Sequence, residues 1–547
     1  MSKRLPQRDA HGFKVKKVVL DSHRKFEGNT VSIFEEESLG ASYVKDYVNG
    51  LRRVTPYYFT FLTHCKQRWQ DRKLIDVFKS EFRMKPFSYY YNAIANGEVK
   101  LNDQVANVDS VLRNGDLISH RIHRHEPPVT LDEIEIAYED DEIMVINKPS
   151  GIPVHPTGRY RHNSITMIMK QEMGTIAHTC NRLDRLTSGI MFLGKTAKKT
   201  AKMVQQIKER NVGKVYIAKC KGKFPLGLQT VDKPLLTIDP RLTFNLVDLE
   251  DGKAAKTLFR RISYDVKDDT SIVKCMPLTG RTHQIRVHLQ FIGYPIANDP
   301  VYSSPYVWGP TLGKGFLHKK NPEYLQEVSE RSEKIGKTKQ STSWYYPEES
   351  GELLLEEGCE VCGSEMYSDP GVNDLILWLH AYRYYSHEQS WDYSTKMPKW
   401  SIEGHHRGMM KLAIEEAKKC DHTETAFNVG CIITDENGEI ISRGYSREFE
   451  GNTHAEQCAL MKLDYKVPPG SILYTTMEPC SERLSGNKPC VNRIIDLNGD
   501  VVTVFVGVVE PKKFIADNTG KRQLEDAGVN YLHIDGYEDE ILALATR

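Results

Sequence analysis

The chain has 547 residues, 39% of them hydrophobic and 27% charged, which is too long for one core and suits a globular protein of about two to four domains. Its net charge of +1 conceals a split: residues 1–130 hold 22 Lys and Arg against 15 Asp and Glu, and residues 401–547 hold 16 against 24. A polyanion is attracted to the first region and repelled by the last. No run approaches the ~20 consecutive apolar residues of a membrane span, so no membrane partner is expected. The N-terminus lacks the apolar block of a secretory signal. Eleven cysteines, an odd number, argue against a full disulfide framework and for reduced thiols in a cytoplasmic setting. Lys3, Arg4, Arg8, Lys14, Lys16 and Lys17 read as a disordered basic tail.

In chain order, residues 26–64 read as an irregular, tyrosine-rich stretch. Helical spacing begins after Asp71 with Leu74, Ile75, Phe78 and Phe82; a second helix follows over 89–95, and a hairpin runs from Gly97 to Ile118. Residues 134–138 and 143–147 read as strands opening a larger α/β region. Alternating apolar runs over 214–219, 271–275 and 284–290 read as further strands. The Lys, Glu, Ser and Thr-rich stretch 316–352 reads as a flexible surface insertion. Residues 375–384 return to an apolar pattern expected to close the sheet. Residues 391–402, polar and broken by Pro398, read as a linker. Beyond it a helix (406–420), strands (429–435 and 439–444), a helix (454–463), a strand (471–476), a helix after Cys490 and two strands (501–508 and 529–534) give an α/β/α three-layer sandwich.

Two segments carry chemistry. The first is Asn181-Arg182-Leu183-Asp184-Arg185-Leu186-Thr187-Ser188-Gly189, which sets one carboxylate inside a polar turn. A single acid there is more often a cap, but its surroundings form a set. Lys148 lies in Asn147–His155, Tyr216 in Lys214–Ala218, and Arg281 and Arg286 in Leu278–Leu289; Asn298–Tyr302 and Leu379-His380-Ala381 follow. Together these resemble, in order, the motifs of the RluA-like pseudouridine synthases over about residues 65–385, with Asn181 where that family usually has His. The helix, helix, hairpin order before them is similar to the small RNA-binding module found ahead of many such enzymes. The resemblance implies an α+β domain with a mixed, mainly antiparallel sheet and no cofactor. It also implies that Asp184 is the nucleophile or ion stabiliser beside the ribose. Arg286 would pair with it bidentately, Tyr216 would stack on a flipped uracil, and Lys148 and Arg281 would position RNA or the loop.

The second segment is His454-Ala455-Glu456, answered by Pro479-Cys480 and Pro489-Cys490. His-x-Glu followed by two Pro-Cys pairs is the zinc deaminase pattern. His454, Cys480 and Cys490 would hold one Zn2+ and leave a fourth tetrahedral position for water, with Glu456 moving the proton. The pair must then sit at a helix's first turn, with Thr453 or Asn452 as cap. The two cysteines are ten residues apart instead of the three usual in RNA and cytidine deaminases. That longer loop resembles the riboflavin-pathway deaminases, and Phe427-Asn428-Val429-Gly430 resembles their substrate strand, which makes Asn428 a candidate substrate contact. Cys359-x-x-Cys362 would be a zinc half-site if another pair lay nearby, but no partner is convincing, and in this loop-like segment the two read as structural or unpaired cysteines.

The joint arrangement resembles fungal bifunctional proteins that join the two families. It implies an N-terminal extension (1–64), an RNA-binding-like module (65–128), a synthase domain (129–390), a linker (391–402) and a zinc deaminase domain (403–547). The implied substrates are a tRNA uridine and a small phosphorylated pyrimidine, 2,5-diamino-6-ribitylamino-4(3H)-pyrimidinone 5′-phosphate, and a homo-oligomer through the deaminase domain is expected. The alternative is that both domains modify the same RNA, the second as a tRNA cytidine or adenosine deaminase. The acidic balance of residues 401–547 disfavours it.

Overall fold

The computed structural model describes residues 41–546 except 83–86, 177, 240–243, 317–321, 339–358, 363–368, 389, 422, 424–425, 484–485 and 512–517. The basic tail from Lys3 to Lys17 lies outside the described residues. Among those described, no helix is long and apolar enough to cross a membrane. The chain divides into two units, one made of residues 1–132, 152–177 and 353–369, the other of 133–151, 178–352 and 370–547.

In the first unit, Leu74, Val77 and Phe78 fall on one face of the Leu74–Glu81 helix, and Tyr90, Ala93 and Ile94 on one face of the Phe87–Ala95 helix. Both stripes close over Val99, Leu112 and Ile118 in one buried cluster. The sheet beneath runs Tyr57–His64, Leu117–Arg124, Val99–Leu101, Gln104–Val105. The Tyr57–His64 strand pairs along its whole length with Leu117–Arg124. The module therefore begins before residue 65, inside the stretch read as irregular. That strand's burial alternates only over its first three residues, Tyr57, Tyr58 and Phe59, so its period-2 signal is short.

The second unit holds both chemistry-bearing segments. A ten-stranded sheet runs Leu228–Asp232, Lys256–Asp265, Thr270–Pro277, Val212–Lys221, Leu379–Ser386, Ser188–Gly194, Ile143–Lys148, Glu135–Glu139, with the short strands His178–Thr179 and Asp392–Ser394 attached beside this path. All its pairings are antiparallel except Ser188–Gly194 with Leu379–Ser386. The sheet is thus mixed and mainly antiparallel. The Leu379–Ser386 strand does not close an edge. It inserts centrally and joins the two halves, although the segments it joins lie about 160 to 190 residues upstream.

Two further expectations are corrected. Residues 284–290 form part of a helix, Gln284–Phe291, not a strand. Every residue from Gln284 to Gln290 is buried, so no polar stripe betrays the 3.6-residue period and the alternation of Ile285, Val287 and Leu289 misleads. The supposed flexible insertion contains the Pro322–Thr338 helix, held by buried Val328 and by Tyr324 donating to the Trp308 carbonyl at 2.8 Å.

The C-terminal sheet runs Ile440–Tyr445, Gly430–Thr434, Ser471–Met477, Val501–Val508, Asn530–His533, with its last two pairings parallel. Its middle strands are buried on both faces, as strands covered by helices on each side must be. Ile432, Tyr474 and Phe505 face the His405–Ala417 and Glu538–Ala545 helices, through Met410, Ile414 and Ile541. Ile433, Leu473 and Val504 face the other way, toward Ala459 and Leu460 of the Ala455–Met461 helix. This is the α/β/α sandwich.

The segment 391–402 is not a loose tether. It contributes the Asp392–Ser394 strand and the Lys399–Ile402 helix, and Met397 and Ile402 are buried in a cluster that also takes Ile217, Ile262 and Ile272 from the large sheet. Polar contacts seal the same seam. Thr503 Oγ1 donates to the Ile262 carbonyl at 2.8 Å, Asn530 Nδ2 to the Arg261 carbonyl at 3.0 Å, and buried His406 sits between Ser263 Oγ (3.0 Å) and Tyr474 Oη (2.7 Å). Arg261, 3% exposed at its side chain, meets Glu436 at 3.0 Å. A flexible linker would leave these groups in water, and their burial and pairing make the two halves of this unit one packed body.

Candidate active sites

Asp184 stands on the loop between the His178–Thr179 and Ser188–Gly194 strands. Little of that loop is free to move. Asn181 Oδ1 accepts from the Phe192 N–H at 2.8 Å, the Thr187 N–H donates to the Asp184 carbonyl at 3.1 Å, and the Leu377 N–H donates to the Leu186 carbonyl at 3.1 Å. Ser150 Oγ also donates to the Leu186 carbonyl. Ser188 Oγ bonds His380 Nδ1 at 2.8 Å, and His380 Nε2 bonds Thr395 Oγ1 at 2.7 Å. Gly189 has φ +112° and lies so close to the central strand that a Cβ there would sit 2.3 Å from the Ala381 carbonyl oxygen. Only glycine satisfies both conditions.

Lys148 is fully buried, and its ammonium donates to the Pro149 and Arg185 carbonyls at 2.8 and 3.1 Å. Of the two roles expected of it, contact with RNA and positioning of the loop, its full burial leaves the second: it braces the Asp184 loop from behind. Burial, with Arg185 adding to it, pulls its pKa down to about 7. The unfolded chain keeps this lysine charged up to about pH 10.5, so between pH 7 and that value the unfolded state binds the extra proton and stability rises with pH. We expect wild type to gain about 2 kcal/mol relative to Lys148→Met between pH 7 and pH 9, read from urea unfolding of both proteins. A parallel pH dependence in the two proteins would refute the assignment.

The carboxylate of Asp184, with its side chain 34% exposed, opens on a cavity of about 500 Å³ lined by Tyr216, Arg281, His283, Arg286, Lys214 and Tyr384 among others. That volume suits a nucleoside-sized ligand. His283 Nε2 is 3.6 Å and Arg286 Nη1 4.0 Å from Asp184 Oδ2. The expected bidentate Arg286–Asp184 pair is corrected: the bidentate partner is Asp299, at 2.6 Å from Nε and 2.9 Å from Nη2. Asp299 is itself aimed by the Val301 and Tyr302 N–H groups, each 2.9 Å from Oδ1. Burial alone would push the Asp299 carboxyl up, but Arg286 beside it holds it below the ordinary range. This leaves one Nη group of Arg286 turned toward Asp184.

His283 caps the Gln284–Phe291 helix with φ 55°, a left-handed conformation uncommon for a side-chain-bearing residue and frequent at functional sites. Burial and the neighbouring Arg286 lower its pKa to about 4, so the ring is neutral near pH 7. Tyr216 reaches the cavity wall with its hydroxyl bonded to that of Tyr384, and burial pushes it up to about 12. Arg281 lines the cavity while its Nε donates to the Ala254 carbonyl at 3.1 Å. His283, Asp299, Lys214 and Tyr384 received no role from sequence; the first three sit inside quoted motifs, but only three-dimensional proximity to Asp184 or its cavity singles them out. We expect Asp299→Asn to lower synthase turnover by about 10²-fold through a misaimed Arg286. It should also cost about 3 kcal/mol of stability, because a buried charge loses its partner. Steady-state kinetics paired with thermal unfolding would check this, and unchanged turnover would refute it.

In the C-terminal half, Cys480 and Cys490 Sγ lie 3.4 and 3.6 Å from His454 Nδ1. The three donor atoms form one cluster. Tetrahedral zinc with the usual bond lengths has an S···N edge of about 3.5 Å, so this donor set fits the ion. The Cys490 hydrogen bond draws the Cys480 thiol below the usual range, while that same bond and burial push Cys490 up. His454 is itself the cap of the Ala455–Met461 helix and makes no side-chain cap bond. Thr453 instead bonds Phe449, which corrects the expected capping. Glu456, in the helix's first turn, is 3% exposed, and its Oε1 lies 2.7 Å from the Thr475 hydroxyl. Burial raises its pKa. Nearby, burial and then Cys480 push Glu510 up to about 7, with Asn518 Nδ2 donating to it at 2.8 Å.

Asn428 is corrected. It is 5% exposed, its Nδ2 donates to the Leu544 carbonyl at 3.1 Å and its Oδ1 accepts from Arg447. Both ends of the amide serve the protein, fastening the Glu538–Ala545 helix to the Gly430–Thr434 strand.

Residues 142–291 match the family model of RNA pseudouridylate synthases, and residues 404–507 that of the cytidine and deoxycytidylate deaminase zinc-binding region. The mitochondrial tRNA pseudouridine(32) synthase of Saccharomyces cerevisiae is 53% identical over 363 residues, 64% of this chain and 77% of that protein. Human pseudouridylate synthase RPUSD2 is 42% identical over 301 residues, and the match spans about half of each chain, 54%. Among solved structures, the Rib2 deaminase of Aspergillus oryzae is 34% identical, covering 26% of this chain and 91% of that one, with a TM-score of 0.25. With the Asp184 cavity and the His454 cluster built on one body, the chain belongs to the RluA-like pseudouridine synthase family and carries, fused to that domain, a cytidine-deaminase-like domain.

Proposed function

We propose that the chain is a bifunctional enzyme. One site isomerises a uridine of tRNA to pseudouridine, and the other deaminates 2,5-diamino-6-ribitylamino-4(3H)-pyrimidinone 5′-phosphate with the help of one Zn2+. The observation that carries the first half is the single carboxylate of Asp184 at a nucleoside-sized cavity, faced by Arg286 and His283. Isomerisation breaks the N1–C1′ bond, turns the base and rejoins it through C5, which loses its proton to solvent while N1 takes one up. Asp184 stabilises or captures the ribose carbon while the base is detached. Arg286, fixed by Asp299, sets a positive charge 4.0 Å from that carboxylate. Tyr216 offers a flat wall for the flipped uracil and a hydroxyl that keeps its proton. A tRNA target is supported by the yeast relative, whose name assigns it a tRNA uridine, and by the basic balance of residues 1–130.

For the second half, Zn2+ held by His454, Cys480 and Cys490 would supply Lewis acidity and an acidified water. The chain's own contribution is proton movement. Glu456 is buried, with a pKa already raised and a hydroxyl partner fixing one oxygen, so it can take a proton and return it to the departing ammonia. The long Cys480–Cys490 loop and the excess of acids over bases in residues 401–547 support a small phosphorylated pyrimidine over RNA. A tRNA deaminase is the competing reading.

Ammonia release by the purified full-length protein separates them. Release from the diaminopyrimidine phosphate, with none from tRNA, is the expected result; release from tRNA alone would defeat the reading. Pseudouridine mapping on the same tRNA tests the first half independently.

A further inference from the structure

We propose that His123, His125, Cys359 and Cys362 form a second, structural zinc site, in the first unit and separate from the deaminase cluster. His123 ends the Leu117–Arg124 strand one residue early and His125 follows it. Residues two apart in extended chain project to the same side. Their rings meet edge-on, with centroids 4.8 Å apart at 90°. Against them stands the Cys359-x-x-Cys362 turn, whose two sulfurs have matching geometry: Cys359 Sγ is 3.5 Å from His123 Nδ1 and Cys362 Sγ is 3.5 Å from His125 Nε2. All four donor atoms lie within 4.8 Å of one another, and all four residues are partly buried.

Two isolated thiol–imidazole hydrogen bonds would explain two short distances but not the convergence of four soft donors on one point. Both distances equal the S···N edge of about 3.5 Å expected around tetrahedral zinc, and they match the 3.4 and 3.6 Å edges at His454. Two thiols and two imidazoles are a ligand set of structural zinc, with every coordination position taken by protein. On binding, the two thiols release their protons to solvent, and two thiolates with two neutral imidazoles cancel the charge of the dication. A neutral site tolerates partial burial.

The site also has a structural task. It bonds residues 236 or more positions apart and would clip the Cys359–Cys362 turn onto the Leu117–Arg124 strand. Beyond that turn, Asp369 Oδ2 accepts from Arg53 Nη2 at 2.6 Å. In sequence the half-site Cys359-x-x-Cys362 has no neighbour, because its complement is supplied from a strand far upstream.

Zinc per chain, measured by plasma mass spectrometry on the full-length protein, tests this. Wild type should carry two equivalents, Cys359→Ser/Cys362→Ser one, Cys480→Ser/Cys490→Ser one, and the fourfold variant none. Zinc content equal in wild type and Cys359→Ser/Cys362→Ser would overturn the proposal, whereas a single wild-type equivalent that this variant loses would count against zinc at the deaminase cluster instead. Because the first double variant could fail to fold, alkylation of wild type provides a second reading. Cys359 and Cys362 should resist N-ethylmaleimide until a chelator is added. Alkylation without chelator, or recovery of the two as a disulfide, would also overturn it. Loss of zinc from Cys480→Ser/Cys490→Ser with the second equivalent intact keeps this site's fate distinct from that of the deaminase reading.

Discussion

Asp184→Asn should abolish pseudouridine formation, lowering it by about 10⁴-fold, the scale on which removal of a central catalytic group acts. The substitution is nearly isosteric. The Asp184 carbonyl that receives the Thr187 N–H belongs to the backbone, and the loop's other ties run through Asn181, Ser150, Lys148 and Ser188. The loop should therefore hold its shape. What is lost is the charge opposite Arg286 and His283. An amide neither captures nor electrostatically stabilises an electron-poor ribose carbon. Affinity for tRNA should be equal or slightly higher, since a negative charge leaves an RNA-facing cavity. Ammonia release at the other site should stay within twofold. Tritium release from 5-labelled uridine in tRNA, with a binding assay alongside, measures both parts. Synthase activity within tenfold of wild type would remove Asp184 from the chemistry.

Much of the site was legible because the reacting groups lie in short contiguous runs. Asp184 carries its own turn-forming Thr187, Ser188 and Gly189, and His454 and Glu456 share one helix start. The groups that aim them were not legible. Asp299 takes the bidentate bond assigned to Asp184, and nothing in its local sequence distinguishes a carboxylate that orients an arginine from one that caps a turn. It does both, accepting the Val301 and Tyr302 N–H groups. Lys148 read as a cation for RNA or for the loop, and because lysines are seldom fully buried only its two interior carbonyl partners decide for the loop. Asn428 was lost to the same ambiguity, a polar side chain one of whose partners comes from the far end of the chain.

Periodicity failed where burial was complete. Gln284 to Gln290 are all buried, so the pattern carries no face. The segment 391–402 was misread for the opposite reason: a polar surface on one side concealed Met397 and Ile402, which fill the seam between the large sheet and the C-terminal sandwich. That seam changes the meaning of the fusion. Ile217, Ile262 and Ile272 lose part of their cover if the last 145 or so residues are removed, and Arg261 and Ser263 lose their partners Glu436 and His406. Each half is thus a structural subunit of the other even where their substrates differ.

Glu456→Gln is the complementary test and should lower deamination by about 10³- to 10⁴-fold, the contribution of a positioned acid–base group. Glutamine keeps the shape and can still meet the Thr475 hydroxyl through its amide oxygen. It cannot accept a proton and hand it on. His454, Cys480 and Cys490 form the donor cluster without Glu456, so the zinc equivalents of the protein should not change. That separates a lost proton shuttle from a lost metal, which Cys480→Ser would confound. Pseudouridine formation should be intact, because the seam between the halves and the Ala455–Met461 helix belong to different buried clusters. Zinc content, ammonia release and a pseudouridine map on the same preparation give the answer. Deamination within tenfold of wild type would show that another group moves the proton, and Glu510, held near neutrality beside Cys480 by its burial, would be the next residue to replace.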